Sequence, residues 1–215
     1  MKSLFIFCLI LILTAAPGLT QSHRTSEVPY LAPLEKAVIN EINLARTSPR
    51  EYQSLLEQFE KYYDGKLLRV PGQTPILTRE GTSAVTEAIR SLRSQTPVSP
   101  LNSSKGMSLG ARDHIRDLGT SGTSQHTGSD GSQPWDRVNR YGTWQKIIGE
   151  NISFGHNHAS NIVMTLMIDD GVPNRGHRKN ILNPDFHVVG VACGDHPAYR
   201  TICVITFAGG YEEKD

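Results

Sequence analysis

Four polar side chains have the types and the placement to carry chemistry. His126 and His177 lie 51 positions apart, and Glu150 and Asp169 lie between them. Imidazoles and carboxylates are the usual protein ligands of zinc-type ions. Carboxylates can also orient a ligating imidazole or accept a proton from a bound water. Each of the four has a glycine within two positions, which favours a loop or a helix end at the rim of a cleft.

The spacing of these residues is not specific by itself. The chain lacks the His-Glu-x-x-His pattern that places two imidazoles on one helix face. The alternative interpretation is that the four polar residues are unrelated, and that they cap helices or form hydrogen bonds to loops. We expect His114 to face solvent, opposite Ile115 on its helix. Three aromatic residues near His126 either pack locally or line a groove for an apolar ligand or a sugar: Trp135, Tyr141 and Trp144.

The first half of the chain predicts helices. Apolar residues recur at steps of three and four over 34–46, and Ser48-Pro49 has the residue types that begin a second helix. We expect a third helix over 79–94, capped by Thr78, and a fourth over 106–119. Loops rich in glycine, proline or serine separate these helices, at 64–78, 96–105 and 121–133.

The second half changes character. A strand is predicted over 146–154 and a helix over 158–169. Two runs of β-branched residues, 188–193 and 202–207, predict a hairpin with a long loop at 194–201. Helices followed by strands, with no linker between them, indicate one α+β domain with helices packed on a sheet.

The cysteines indicate an oxidising compartment. Cys193 and Cys203 remain once Cys8, which lies in an apolar N-terminal run, is set aside. We expect them to form one disulfide. The alternative is a pair of free thiols for a metal or for redox chemistry, but their spacing is not the Cys-x-x-Cys of such sites.

The N-terminus has the layout of a secretory signal peptide. Lys2 is followed by an unbroken apolar run over 4–13 and then by small residues. We predict a signal peptide at 1–20, a flexible lead-in at 21–33, and export from the cell. The apolar run is too short to span a bilayer, although a membrane anchor or a retained core helix is the alternative. No transmembrane segment is expected elsewhere in the sequence.

The charge balance excludes one class of partner. The formal net charge is +1, and loss of Lys2 with the signal peptide would bring it to zero. A balance this close to neutrality gives no case for nucleic acid or for an anionic membrane surface as a partner.

Several short segments, taken in order, resemble the CAP superfamily of cysteine-rich secretory proteins, antigen 5 and pathogenesis-related class 1 proteins. The resemblance lies in Gly149-Glu-Asn-Ile152, in Gly176-His-Arg-x-Asn-Ile-Leu182 and in Val189-Gly-Val-Ala192. The helix at 39–46 and the Ser-x-His-Thr pattern at 124–127 add to it. The chain is similar to bacterial secreted members, and the predicted domain runs over 34–211.

The resemblance implies a three-layer α–β–α sandwich whose central sheet is flanked by helices, with a cleft. Two histidines and two acidic residues line that cleft in the family, and the histidines can hold a divalent metal. By position these are His126, His177 and Glu150, with Asp169 as the second acidic residue and Asp170 as its alternate. This chain carries aspartate where the family has glutamate, so the side chain is one methylene shorter.

Three functions are compatible with this sequence. The first is a secreted protein whose cleft binds a divalent metal, zinc or a similar ion, together with an unidentified ligand. The second is a metal-dependent hydrolase of peptidase type, in which Glu150 takes a proton from metal-bound water. The third is a module that binds a lipid, a sterol or a protein, with a vestigial cleft. The sequence does not decide whether the protein is an enzyme.

Overall fold

The computed structural model describes residues 30–72 and 74–214. The predicted signal peptide and residues 21–29 of the predicted lead-in lie outside the described residues. The first part of the chain forms two helices, α1 (Pro33–Thr47) and α2 (Pro49–Glu60), with Pro49 at the predicted start of the second. Leu31 packs against the core just before α1.

A small three-stranded antiparallel sheet forms within residues 63–77, where a loop over 64–78 was predicted from the sequence. Its strands are β1 (Tyr63–Asp64), β2 (Leu67–Leu68) and β3 (Ile76–Leu77). The next helix, α3 (Thr82–Ser94), begins three residues later than predicted, with Gly81 and not Thr78 at its N-cap. The delay has a cause: the backbone N–H groups of residues 79–81 donate to the Asp170 carboxylate.

The remaining elements build the central layer and the helices that cover it. They are β4 (Asn102–Ser103), α4 (Lys105–Ser121), α5 (Pro134–Val138), β5 (Gly142–Phe154), α6 (Ala159–Ile168), α7 (Gly176–Leu182), β6 (Val188–His196) and β7 (Arg200–Glu213). The strand order is β4-β6-β7-β5, and every pairing is antiparallel except β4 with β6. The predicted loop at 194–201 is wrong, because the paired strands continue to His196 and Arg200.

Alternate residues of the sheet face two separate cores. Val191 and Ile205 face the layer that contains α1, α2, α3, α6 and α7, whereas Ala192 and Val204 face α4. Gly190 brings α4 close to β6, because a Cβ there would overlap the main chain of Met107. Helices therefore cover both sides of one sheet, and the predicted α–β–α sandwich is confirmed. No helix in the described part of the chain has the length and apolar character needed to cross a bilayer.

The predicted disulfide is also confirmed. Cys193 on β6 lies directly opposite Cys203 on β7, and their sulfurs are bonded. The alternating pattern of the two strands puts both cysteines on the same face, where Cys203 is buried in the larger core. The bridge therefore joins the two central strands of the domain near their turn.

Two charged side chains, Arg46 on α1 and Glu213 on β7, form hydrogen bonds to distant parts of the chain. Arg46, buried in α1, donates from its guanidinium to four carbonyl oxygens, those of Ser99, Ile181, Asn183 and Phe186. Burial lowers the pKa of Arg46 to about 10, so the side chain stays charged at neutral pH. At the other end, the Glu213 carboxylate accepts from Ser104 Oγ and from the backbone N–H of Gly106, at the start of α4.

Candidate functional site

His126 lies on the loop between α4 and α5 and points toward β5. Its Nδ1 is 2.9 Å from Oε1 of Glu150 on β5. The imidazole is half-exposed, whereas the Glu150 side chain is 2% exposed. A carboxylate oxygen only accepts, so Nδ1 carries the proton in this contact and Nε2 is left as the other ring nitrogen.

Arg137 on α5 completes this half of the site. Its NH2 group donates to Glu150 Oε2 at 2.9 Å, and both side chains are 2% exposed. The same guanidinium donates to the backbone oxygens of Ser132 and His126. Arg137 therefore neutralises the buried carboxylate and also holds the loop that carries His126. Both oxygens of Glu150 are engaged, one by an imidazole and one by a guanidinium.

His177 and Asp169 form the second half of the site. His177 is the second residue of α7, and its Nδ1 donates to Oδ1 of Asp169 at 2.6 Å. The other carboxylate oxygen accepts from the backbone N–H of His177 at 2.9 Å. Asp169 ends α6 in the left-handed conformation, at φ 59° and ψ 42°. Aspartate tolerates this conformation better than most residues, and its shorter side chain still reaches the imidazole.

Asp170, the alternate acidic residue, has a different partner. Its carboxylate accepts from the backbone N–H groups of Arg79, Glu80 and Gly81, at 2.6 to 3.0 Å. It therefore holds the turn at residues 79–81, directly before α3, and it has no bond to His177 among the described residues. Of the two neighbouring aspartates, Asp169 is the one that orients the imidazole.

Two asparagines fix the two halves relative to each other. The Asn151 side chain donates to the backbone oxygen of His177 at 3.0 Å, and the Asn180 side chain donates to Asn151 Oδ1 at 2.8 Å. Asn151 follows Glu150 on β5, and Asn180 follows His177 by one turn of α7. Each of the two motifs, Gly149–Ile152 and Gly176–Leu182, thus supplies one cleft residue and one asparagine. The two asparagine side chains join β5 to α7.

Both histidines line one open cavity of about 480 Å³. Ile152, Phe154 and Val172 supply apolar wall, and Arg79 lies at the edge. A smaller cavity of about 230 Å³ shares His126 and is lined by Trp135 on α5. Of the three aromatic residues near His126, Trp135 borders this smaller cavity. The Tyr141 hydroxyl donates to Asp113, and Trp144 packs with Met107 and Val138.

His114 was expected to face solvent, and this prediction is wrong. Its side chain is fully buried, with Nε2 2.9 Å from the backbone oxygen of Gln125 and 4.0 Å from Glu150 Oε1. The carbonyl can only accept, so His114 donates and anchors the loop beside His126. Burial lowers the pKa of His114. The signal was present in the sequence, because His114 continues the apolar stripe of Met107, Ala111 and Leu118 at steps of three and four.

The donor set fits a divalent ion held by two protein ligands. Both Nδ1 atoms are bound to carboxylates, which leaves Nε2 of His126 and of His177 for a metal. Metal-bound histidines usually donate their second ring N–H to a carboxylate in this way. Among the described residues no group of three or more histidine, cysteine, aspartate or glutamate side chains could share an ion. An ion here would keep several positions for water or a ligand.

A sequence model of the Cysteine-rich secretory protein family, CAP, matches residues 86–207. The chain belongs to the CAP family. The match begins within α3, so the predicted domain start at residue 34 stays a prediction.

One curated protein and two solved structures illustrate what the chain is similar to, and all three are bacterial. The uncharacterized protein YkwD of Bacillus subtilis (strain 168) is 31% identical over 107 residues, which are 50% of this chain and 40% of that protein. The chain thus spans less than half the length of this relative. Among solved structures, an outer surface protein of Borrelia burgdorferi is 20% identical, with a TM-score of 0.44, over 54% of this chain and 80% of that one. An extracellular protein containing a SCP domain from Bacillus anthracis str. Ames is 22% identical, with a TM-score of 0.41, over 58% and 37% of the two chains.

Proposed function

We propose that this CAP protein is exported and that its cleft binds a divalent metal ion of the zinc type through Nε2 of His126 and Nε2 of His177. The observation that supports it most directly is the matched arrangement of the two imidazoles. Each turns Nδ1 to a carboxylate, and both line the same cavity of about 480 Å³. Both features are expected of two histidines that ligate one ion.

The ligand of the cleft would bind beside the ion. With two protein ligands, a zinc ion retains positions for water or for an oxygen or nitrogen of a bound molecule, and it acts there as a Lewis acid. The apolar wall of Ile152, Phe154 and Val172 suits a small organic molecule. A separate lipid, sterol or protein partner also stays a proposal.

Glu150 is assigned a positioning role in this proposal. A general base needs an oxygen that can reach a water in the cleft. Here Oε1 bonds to His126 and Oε2 to the buried Arg137, and the side chain is 2% exposed. These contacts support an orienting carboxylate, so we propose binding without assigning a proton transfer to Glu150.

Export is supported by two further observations. A disulfide joins Cys193 and Cys203, and such bonds persist in oxidising compartments. The family is named for secretory proteins, and one similar protein is described as extracellular. The predicted signal peptide at 1–20 agrees with both.

The test is isothermal titration of Zn²⁺ into the metal-free protein and its variants. The wild type is expected to bind one ion saturably, and a His126→Ala/His177→Ala double variant is expected to lose that binding. His158→Ala is the matched control, because His158 is an exposed histidine that lines a different cavity. Equal binding by the double variant, or no saturable binding by the wild type, would rule out the proposed metal site.

A further inference from the structure

Arg79 is a cationic residue at the edge of the cleft. Its side chain neither orients a histidine nor caps a helix. It lines the same cavity as His126 and His177. Its backbone N–H donates to Asp170, but within residues 30–72 and 74–214 its guanidinium has neither a hydrogen-bond acceptor nor a carboxylate partner. Arg175 and Arg178, in contrast, are both paired with Glu87. Arg79 is therefore an available cation beside the two imidazoles.

The position of Arg79 is fixed by its neighbours. Asp170 holds its backbone, and Gly171 lies under its aliphatic stem. A Cβ on Gly171 would be 2.5 Å from Cδ of Arg79, and Gly171 also has φ +77°, which favours glycine. The two neighbouring aspartates thus have parallel tasks: Asp169 orients His177, and Asp170 places the arginine at the same cavity.

Three carboxylates lie at the cleft, and each already has a hydrogen-bond partner within the protein, including Asp170, which lines the cavity. Glu150 and Asp169 each bond to an imidazole, and Asp170 accepts from the backbone N–H groups of residues 79–81, which precede α3. The polar groups left to meet a ligand include the Arg79 guanidinium and the two imidazole edges. A guanidinium presents a planar fork of donors that matches the paired oxygens of a carboxylate or phosphate.

From this arrangement we propose that Arg79 is a ligand-binding residue, and that the cleft takes small organic molecules carrying an oxyanion, either a carboxylate or a phosphate. The inference rests on the proposed ligand-binding cleft but does not require the metal. Arg79 precedes the family-matched range of 86–207, so this preference would be a property of this chain's own α2–α3 connection.

The test is a titration of the metal-free, ¹⁵N-labelled protein with acetate and, separately, with inorganic phosphate at constant ionic strength. At pH 8 free imidazole is largely neutral, so a bound anion depends on the guanidinium. The imidazole signals of His126 and His177 report binding within the cleft. Comparison of the two titrations shows which oxyanion the cleft prefers.

Three variants give the expected pattern. Arg79→Gln is expected to weaken binding by at least about tenfold, the ratio typical of one lost hydrogen bond to a charged group. Arg79→Lys keeps the charge without the fork and is expected to fall between the wild type and Arg79→Gln. Arg69→Gln, a change of an exposed arginine near β2, is expected to bind as the wild type does.

Two results would overturn the inference. One is binding of equal strength by Arg79→Gln and the wild type. The other is an imidazole response that stays linear, without saturation, for both anions. Zn²⁺ titration of the same samples separates this outcome from the proposed function: zinc binding without anion binding refutes only the role of Arg79, and anion binding without zinc binding refutes only the metal site.

Discussion

Replacement of Arg137 by methionine is expected to destabilise the protein by about 3–5 kcal/mol, the usual cost of removing one partner of a buried ion pair. The arginine and Glu150 are each 2% exposed. Without the guanidinium the carboxylate stays buried with His126 as its remaining close partner. The variant also loses the donors to the backbone oxygens of Ser132 and His126, so the loss should reach the upper part of this range.

Thermal and urea unfolding measure this effect. In a domain of this size each 1 kcal/mol shifts the Tm by roughly 2–4 °C, so the Tm of Arg137→Met should fall by about 6–20 °C. Arg140→Met is the matched control. Arg140 lies three residues away and pairs with Asp113 and Asp130, but its side chain is 43% exposed. Asp113 is 8% exposed but also pairs with Arg116, so it keeps a cationic partner in this variant. Because ion pairs of an exposed side chain contribute about 1 kcal/mol or less, this control should change the Tm by only a few degrees.

A double variant, Arg137→Met/Glu150→Gln, separates the orphaned charge from the lost hydrogen bonds. Because glutamine carries no charge to bury, the double variant should be more stable than Arg137→Met alone by about 1–3 kcal/mol. Stability losses that simply add in the double variant would refute the charge-pair explanation. So would an Arg137→Met loss as small as that of the Arg140 control.

Three further predictions follow from the other contacts. Asp169→Asn should lower the zinc affinity about 10- to 100-fold by titration calorimetry, whereas Asp170→Asn should weaken only the turn at residues 79–81 before α3. Equal affinity losses in the two variants would contradict the separate roles of the two aspartates. Removal of the disulfide by Cys193→Ala/Cys203→Ala should cost about 3 kcal/mol in urea unfolding, given a separation of 10 residues, and a cost near zero would contradict it. Burial lowers the pKa of His114, so the unfolded chain takes up that proton first as the pH falls through about 6.5. The free energy of unfolding should therefore fall from pH 7 to pH 5, and it should fall less in His114→Gln; an unchanged slope would exclude His114 as the cause.

Much of the layer structure was predictable because it depends on local periodicity. Apolar steps of three and four identify α1 and α4, and runs of β-branched residues identify β6 and β7. The disulfide was predictable because two cysteines, Cys193 and Cys203, remain in a chain expected to be exported. The small sheet at 63–77 was not predictable in this way, since each of its strands has only two residues.

The site was only partly predictable because its remaining contacts are not local. The four residues singled out in the sequence form two imidazole–carboxylate pairs. Arg137, in contrast, lies in a short helix beside exposed charged residues. The sequence around it gives no sign that its side chain is buried against a strand. The placement of Arg79 depends on an aspartate 91 positions away. Such contacts follow from the tertiary fold and not from spacing.

The four carbonyl contacts of Arg46 limit how far this protein could be truncated for expression. The family-matched segment, 86–207, contains both histidines, yet α1 and the last residues of β7 lie outside it. A fragment limited to that segment would lose Arg46, which holds the backbone between the end of α7 and the start of β6, and also Glu213, which caps α4. It would expose an apolar sheet face that α1 normally covers. The shared segment is therefore best regarded as the recognisable part of a larger cooperative unit, and an expression fragment should begin before α1 and extend past Glu213.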